Sequence, residues 1–395
     1  MSTEKISRRS YLKWVGAGVA AVAVAGTGYG AYQYLAPKEQ VPTTQVVPTT
    51  QVVPTTQAAR RLTIGVWGGT GEDAIREINE HFVQQYTKGP VSTAIETYGW
   101  SSEALEKARA SWPKIVMDAW GTTVPAGVWK AMRAELISPL TYDEVPELRN
   151  QLAVENVTHD GQIWGVPIEL FVEGLQYRKD LVGKKITKFS DLFSDTFKGK
   201  KRIYLSLPSW SDGSWLIMAA LSRGGDENNI DPGFEATKEL AKNGAIGGVF
   251  TSQTDASRLF MSGDAWVLGT CGMMSPVREG LSLDLWDILP NREAILEDTK
   301  GIGAGSAYVV LKGQNQDLAK DWVNFLATKD MDETWCAPNG TLPTNKDAHA
   351  REDAAWAYPT PQDWTKKCHV PGVEYLAQLD AWTDRWNREI IPLIS

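Results

Sequence analysis

The chain has 395 residues, 43% of them apolar, and a formal charge of −8, which is enough sequence for two lobes with real cores. The first 57 residues carry Lys5, Arg8, Arg9, Lys13 and Lys38 against Glu4 and Glu39, a net of +3, leaving −11 on the remainder (−8 less +3). So acidic a body lacks the basic footprint that nucleic acid demands, and no nucleic-acid partner is expected.

The N-terminus reads as an address. Ser7-Arg-Arg-Ser-Tyr-Leu-Lys13 matches the twin-arginine export motif, and an apolar, small-residue run follows from Trp14 to Leu35. This order implies a protein that folds before export and works outside the cytoplasm. The run is about 20 residues, long enough to cross a bilayer, and no cysteine follows it to take a lipid. Three Val-Pro-Thr-Thr-Gln units then span Val41 to Gln57; their Pro and Thr cannot build a core and form a disordered stalk. A stalk is useful when its far end is held. Residues 1–37 are therefore expected to be a twin-arginine signal or uncleaved membrane anchor and 38–60 the stalk; cleavage near Ala31 or Ala36 is the alternative.

Leu62 to Val66 reads as a short strand, Trp67 to Gly71 as a glycine-rich turn, and Ile75, Ile78 and Phe82 as one face of a helix. Such a unit leaves first-turn amides unpaired and can cradle a polar ligand, with Gly68 and Gly69 giving backbone access and Trp67 an aromatic wall. An ordinary β-α turn with a packed Trp is the plainer reading. Val91 to Tyr98 alternates as a strand and Ser102 to Ser111 is helical in pattern. Lys114 to Asp118 reads as another strand, running into Trp120 and Thr122. A helix follows from Pro125 to Ala134. Strands alternating with helices imply a largely parallel sheet, whose ligands gather at the carboxyl ends of strands. That rule brings Trp67 and Trp120 toward one crevice.

Gly161 to Tyr177 is extended and carries Glu169, Phe171 and Glu173 inside an apolar run. Buried acids are costly, so a hydrogen-bond partner, a cation or a cleft is expected, the alternative being an edge strand with both acids in solvent. Arg202 to Leu207 opens a second strand–turn–helix unit, with Trp210, Ser211 and Asp212 in its turn. Asp212 can equally be a helix cap. Helices follow at 234–243 and 256–262, and Ala265 to Gly269 is a strand ending at Thr270. Leu283 to Leu289 is extended. Gly301-Ile-Gly-Ala-Gly-Ser306 precedes a strand instead of following one, so it fails the dinucleotide test. Asp317 to Lys329 is an amphipathic helix, Thr334 to Asn345 a loop, and Val373 to Ile391 helical.

The four histidines are scattered, and no nucleophile elbow, Walker loop, kinase set or zinc motif is present, so no catalytic residue, metal or cofactor is assigned. Of three cysteines, Cys336 and Cys368 are expected to pair in an exported protein, with Cys271 a buried thiol. The 17 tryptophans mostly fill core, yet several sit in glycine-rich or polar surroundings suited to gripping small organic molecules.

From Leu62 to about Ala348 the chain resembles the extracellular solute-binding proteins of ABC importers, in the branch that includes spermidine/putrescine binders. Four stretches carry the resemblance in order: Trp67-Gly-Gly, Phe189-Ser-Asp-Leu-Phe193 with Phe197-Lys-Gly-Lys200, Met261-Ser-Gly-Asp264, and Ala319-Lys-Asp-Trp-Val-Asn-Phe-Leu326 with Asn339-Gly-Thr-Leu-Pro-Thr-Asn345. It implies an α/β, two-lobe periplasmic-binding-protein fold with a hinge, lobe 1 being residues 61–175 and 302–345 and lobe 2 being 176–301 and 346–395. The solute would lie between the lobes, against Trp67, Trp120, Thr122, Glu169, Phe171, Trp210, Asp212, Thr270 and Gly305. Gly68, Gly69, Glu173 and Ser211 join this candidate set from the residue reading. Polyamine binders place an acid beside the strand that begins here at Gly305-Ser306, and that acid is missing. The resemblance implies a monomeric, non-enzymatic receptor at the extracellular membrane face or in the periplasm, handing a polyamine-like or amino-acid-derived solute to an ABC permease. A secreted hydrolase or transferase and a stalked adhesin are the alternatives.

Overall fold

The computed structural model describes residues 58–99, 101–114, 116–250, 253–271, 296–350 and 368–394. The expected signal or anchor, most of the stalk and the extended stretch 283–289 lie outside the described residues.

Strand β1 (Arg60–Trp67) alternates so that Leu62, Ile64 and Val66 are buried, and helix α1 (Thr70–Gln85) buries Ala74, Ile75, Ile78 and Phe82 along one stripe. Strand β2 (Val91–Tyr98) pairs parallel with β1, and helix α2 (Ser101–Ser111) leads to β3 (Ala119–Val124), also parallel to β1. The expected strand at 114–118 is thus displaced. The Asp118 carboxylate accepts the Thr63 amide at 2.7 Å and an Asn315 side-chain amide at 3.2 Å, and pairing with β1 begins only at Ala119. Helix α3 (Ala126–Arg133) follows.

After a short hairpin, β4 (Thr158–His159) with β5 (Gln162–Ile163), comes β6 (Val166–Tyr177), the longest strand. Strand β10 (Gly301–Val310) runs antiparallel between β3 and β6. These two strands cross the molecule. On the far side of β6 lie β9 (Val267–Cys271), antiparallel to it, then β7 (Ile203–Ser206) and β8 (Ile246–Phe250), parallel to each other. Gly301 and Gly305 belong to β10 itself. A Cβ at Gly305 would lie 2.5 Å from the Glu169 carbonyl oxygen, so this position serves close strand approach.

The helices between these strands are α4 (Lys179–Val182), α5 (Ser214–Leu221), α6 (Asp231–Lys242) and α7 (Gln253–Ser262). Beyond β10 come α8 (Gln316–Leu326) and α9 (Lys329–Asn339), then β11 (Cys368–His369), α10 (Leu379–Glu389) and α11 (Ile391–Ile394). The expected loop from Thr334 is helical as far as Asn339. Its end is set by Gly340, whose φ of +66° lets its amide close back on the Cys336 carbonyl.

Two apolar cores flank the crossing strands. The first holds Leu62, Ile64, Phe82, Trp120, Val128, Ile168, Tyr308, Trp322 and Trp335. The second holds Leu175, Leu205, Trp215, Phe234, Ile246, Tyr375, Trp382 and Trp386. This is a mixed α/β, two-lobe architecture with β6 and β10 common to both lobes. Helix α3 stands between them, giving Val128 and Ala131 to the first core and Ala126, with the partly buried Trp129, to the second. No helix among the described residues is long and apolar enough to cross a membrane.

The Cys336–Cys368 disulfide is not formed. Cys336 is buried in the first core, where its thiol donates to the Ile168 carbonyl oxygen at 3.3 Å and burial pushes its pKa up. Cys368 is buried in a separate cluster with Leu170, Val172 and Leu342. Each sulfur is thus engaged in its own packing.

Candidate functional site

The register of the sheet directs the carboxyl ends of β1 and β3 in the first lobe, and of β7 and β9 in the second, toward the stretch where β6 passes from one core to the other. One strand–turn–helix unit from each lobe faces this stretch.

The first unit is built by its own lobe. The Trp67 indole meets Tyr98 edge-on at 5.8 Å between centroids and Trp335 at 6.4 Å. Tyr308 stands edge-on to Trp335 at 6.0 Å and to Trp322 at 5.0 Å. Gly121 makes the room, since a Cβ there would lie 3.0 Å from the Trp67 ring and 3.1 Å from the Tyr308 ring. Past Trp67 the chain opens. A Cβ at Gly68 or Gly69 would meet nothing within 4 Å, and α1 begins with no side-chain cap. The Thr70 hydroxyl ties the turn to Asn339 at 2.8 Å.

Glu169 and Glu173 both lie on the central strand β6, which rules out the edge-strand reading. Glu169 is 6% exposed and accepts the Ser306 hydroxyl at 2.6 Å and the Thr341 hydroxyl at 2.8 Å. Burial pushes its carboxyl above the usual range, and the two hydroxyls pull the other way. Glu173 accepts a hydrogen bond from the Ser214 hydroxyl at the start of α5. Burial drives its pKa up to about 8; the Ser214 hydroxyl lowers it, and the Asp212 charge raises it further.

The second unit, from Pro208 to Ser214, is pinned. Trp210 stands edge-on to Phe250 at 5.3 Å. The buried Ser211 hydroxyl accepts the Ser206 hydroxyl at 2.8 Å, and the Asp212 carbonyl accepts the Tyr375 hydroxyl at 3.0 Å. Asp212 and Gly213 both have left-handed backbones, φ +48° and +81°. For a non-glycine residue this conformation costs about 1 kcal/mol and is found at sites held by their surroundings. Asp212 is no helix cap, because α5 starts without one. Its carboxylate instead accepts the Lys130 ammonium of α3 at 2.8 Å, across from the other lobe.

The candidate residues therefore divide. Trp67, Gly68 and Gly69 lie in the turn after β1, Trp210 and Asp212 in the turn after β7, and Phe171 and Glu173 on the crossing strand β6. Trp120 does not wall the crevice, because it lies near the start of β3, 0% exposed, inside the first core. Thr122 is likewise fully buried, its hydroxyl 2.0 Å from where a Gly127 Cβ would stand beneath α3. Ser211, Glu169 and Gly305 support the site from within. Thr270 is near the end of β9, and its side chain lies outside the described residues. Lys130, Ser214, Tyr308, Trp335 and Thr341 stand against these candidates, and the sequence reading did not single them out. Lys130 carries no local signal, since its carboxylate is 82 positions away, and Trp335 falls where a loop was expected.

Residues 82–366 match the model of the bacterial extracellular solute-binding protein family. No curated protein sequence matches the chain. Among solved structures, an ABC transporter protein from Clostridium perfringens is similar with a TM-score of 0.67 at 19% identity, over 83% of this chain and 99% of that one. The spermidine/putrescine substrate-binding protein PotD from Streptococcus pneumoniae aligns with a TM-score of 0.62 at 14% identity, over 83% and 99%. AgtB from A. tumefaciens R10, in complex with agropinic acid, aligns with a TM-score of 0.61 at 16% identity, over 85% and 100%. At these identities the likeness is one of fold.

Proposed function

The chain belongs to the bacterial extracellular solute-binding protein family, and from that premise we propose that it captures a small organic solute between its lobes and delivers it to an ABC permease. One observation carries this reading: two strand–turn–helix units, one from each core, face the same stretch of β6. Trp67, Phe171 and Trp210 supply aromatic contact, and Gly68 and Gly69 bare backbone. Glu173 and Asp212 supply the polar groups, with Glu169, Ser211 and Gly305 behind them. Binding closes the lobes about β6 and β10 and excludes water, so affinity comes largely from desolvation. Lobe 1 is residues 61–175 and 302–345, and lobe 2 is 176–301 and 346–395. Capture proceeds without turnover, and the receptor is a monomer. Residues 1–37 direct export by the twin-arginine route and hold the protein at the extracellular membrane face, with 38–60 as the stalk. The solute is amine- or amino-acid-derived, a class supported by the spermidine/putrescine and agropinic acid relatives.

A thermal-shift panel of polyamines, amino acids, sugars and opines tests the reading. A true solute at a hundred times its Kd stabilises the folded state by about 2.7 kcal/mol, and small-angle scattering should show compaction on its addition. Stabilisation without compaction, or recovery of a chemically altered solute, would refute capture by closure.

A further inference from the structure

Helix α3, packed into both cores, carries a lysine that reaches the turn of the opposite lobe. We propose that Lys130 is a selectivity residue: it holds Asp212 in an internal ion pair and so keeps that carboxylate from serving a cationic solute. The proposal deepens the capture reading and rests on it.

Three observations carry it. The pair joins the lobes at the stretch faced by both turns, at 2.8 Å, with side-chain exposures of 32% and 24%. A half-buried pair is screened less than one in open solvent. Next, the two partners differ in freedom. The Asp212 backbone is fixed by its φ of +48°, by the Tyr375 hydroxyl on its carbonyl and by Gly213 packed on Trp382, where a Cβ would lie 2.9 Å from the ring. Lys130 reaches it on a flexible four-carbon stem. The ammonium is the part that can yield, and the carboxylate is the part that waits. Last, the neighbouring acid is already engaged, as Glu173 accepts the Ser214 hydroxyl. A solute ammonium must therefore displace Lys130 from Asp212 and leave a second cation beside it, and like charges brought together are strongly disfavoured. A neutral or zwitterionic solute meets no such contest. The cleft is thereby set against free polyamines and toward amine- or amino-acid-derived solutes whose positive charge is balanced within the molecule.

The experiment uses the full chain with putrescine and spermidine as probes in thermal-shift titrations. Lys130→Met should respond to at least one of them at a half-saturating concentration roughly fivefold or more below that of the parent. Lys130→Gln should show the same gain and guards against a folding defect in the first variant. Lys130→Arg keeps the charge and should behave like the parent. Adding Asp212→Asn to Lys130→Met should remove the gain. Equal response of parent and Lys130→Met, or no gain in either uncharged variant, overturns the proposal. The capture reading is judged separately by the neutral and zwitterionic panel on the parent: its failure there, with the gain in Lys130→Met intact, would count against capture alone.

Discussion

The two turns that face each other across β6 are made of the same parts and held in opposite ways. The turn after β1 is supported from behind by Tyr98, Trp335 and Tyr308 and left open in front at Gly68 and Gly69. The turn after β7 is gripped from both sides, by Tyr375 and Trp382 of its own lobe and by Lys130 of the other. A strand, a glycine and a helix start do not by themselves say how a turn is used. The side chains that later elements bring against it decide whether it is a rigid open shelf or a pinned, charged arm.

Three substitutions bear on this contrast. The largest effect is expected at the support of the first turn. Trp335→Ala removes a fully buried indole and should cost about 3–5 kcal/mol in urea unfolding; a loss below about 1 kcal/mol would mean that Trp67 stands without it. Next come the matched glycines. Gly213→Ala forces a side chain to φ +81° and into the Trp382 ring, and should cost about 2–3 kcal/mol. Gly69→Ala meets only the backbone cost of φ +87° in open space, about 1 kcal/mol. Equal losses at the two glycines would erase the distinction between pinned and open turns.

The smallest effect is expected at Glu173. Its folded pKa of about 8 stands above the value near 4.3 of an unfolded chain, so the folded state binds the extra proton. Stability from this group is fully present below about pH 4 and is lost as pH rises through about 8. Glu173→Gln should flatten that part of the pH–stability curve and, after allowance for solvent, stabilise by about 1 kcal/mol at pH 8. Asp332, fully buried and also raised to about 8, acts with the same sign and keeps part of the slope in the variant. A variant curve identical to that of the parent would show that Glu173 is ionised in the folded protein.

Local pattern carried much of the fold. The alternation of Leu62, Ile64 and Val66, the stripe from Ala74 to Phe82 and the largely apolar, extended run of β6 each reflect backbone geometry, so they are legible one segment at a time. The Trp67 and Trp210 turns were legible for the same reason, and so was the family, because its short stretches keep their order along the chain. What the sequence could not settle depends on partners far away in the chain. Trp120 belongs to the core and not the crevice because β3 begins at Ala119 and not at Lys114, which puts Trp120 near the strand's start and not past its end, the Asp118 carboxylate having taken the Thr63 amide. Cys336 and Cys368 stay apart because each is claimed by different neighbours. Lys130 meets Asp212 only because α3 packs between two cores. Periodicity is a property of consecutive residues, whereas burial, charge pairing and the identity of a wall are set by which surfaces meet after folding.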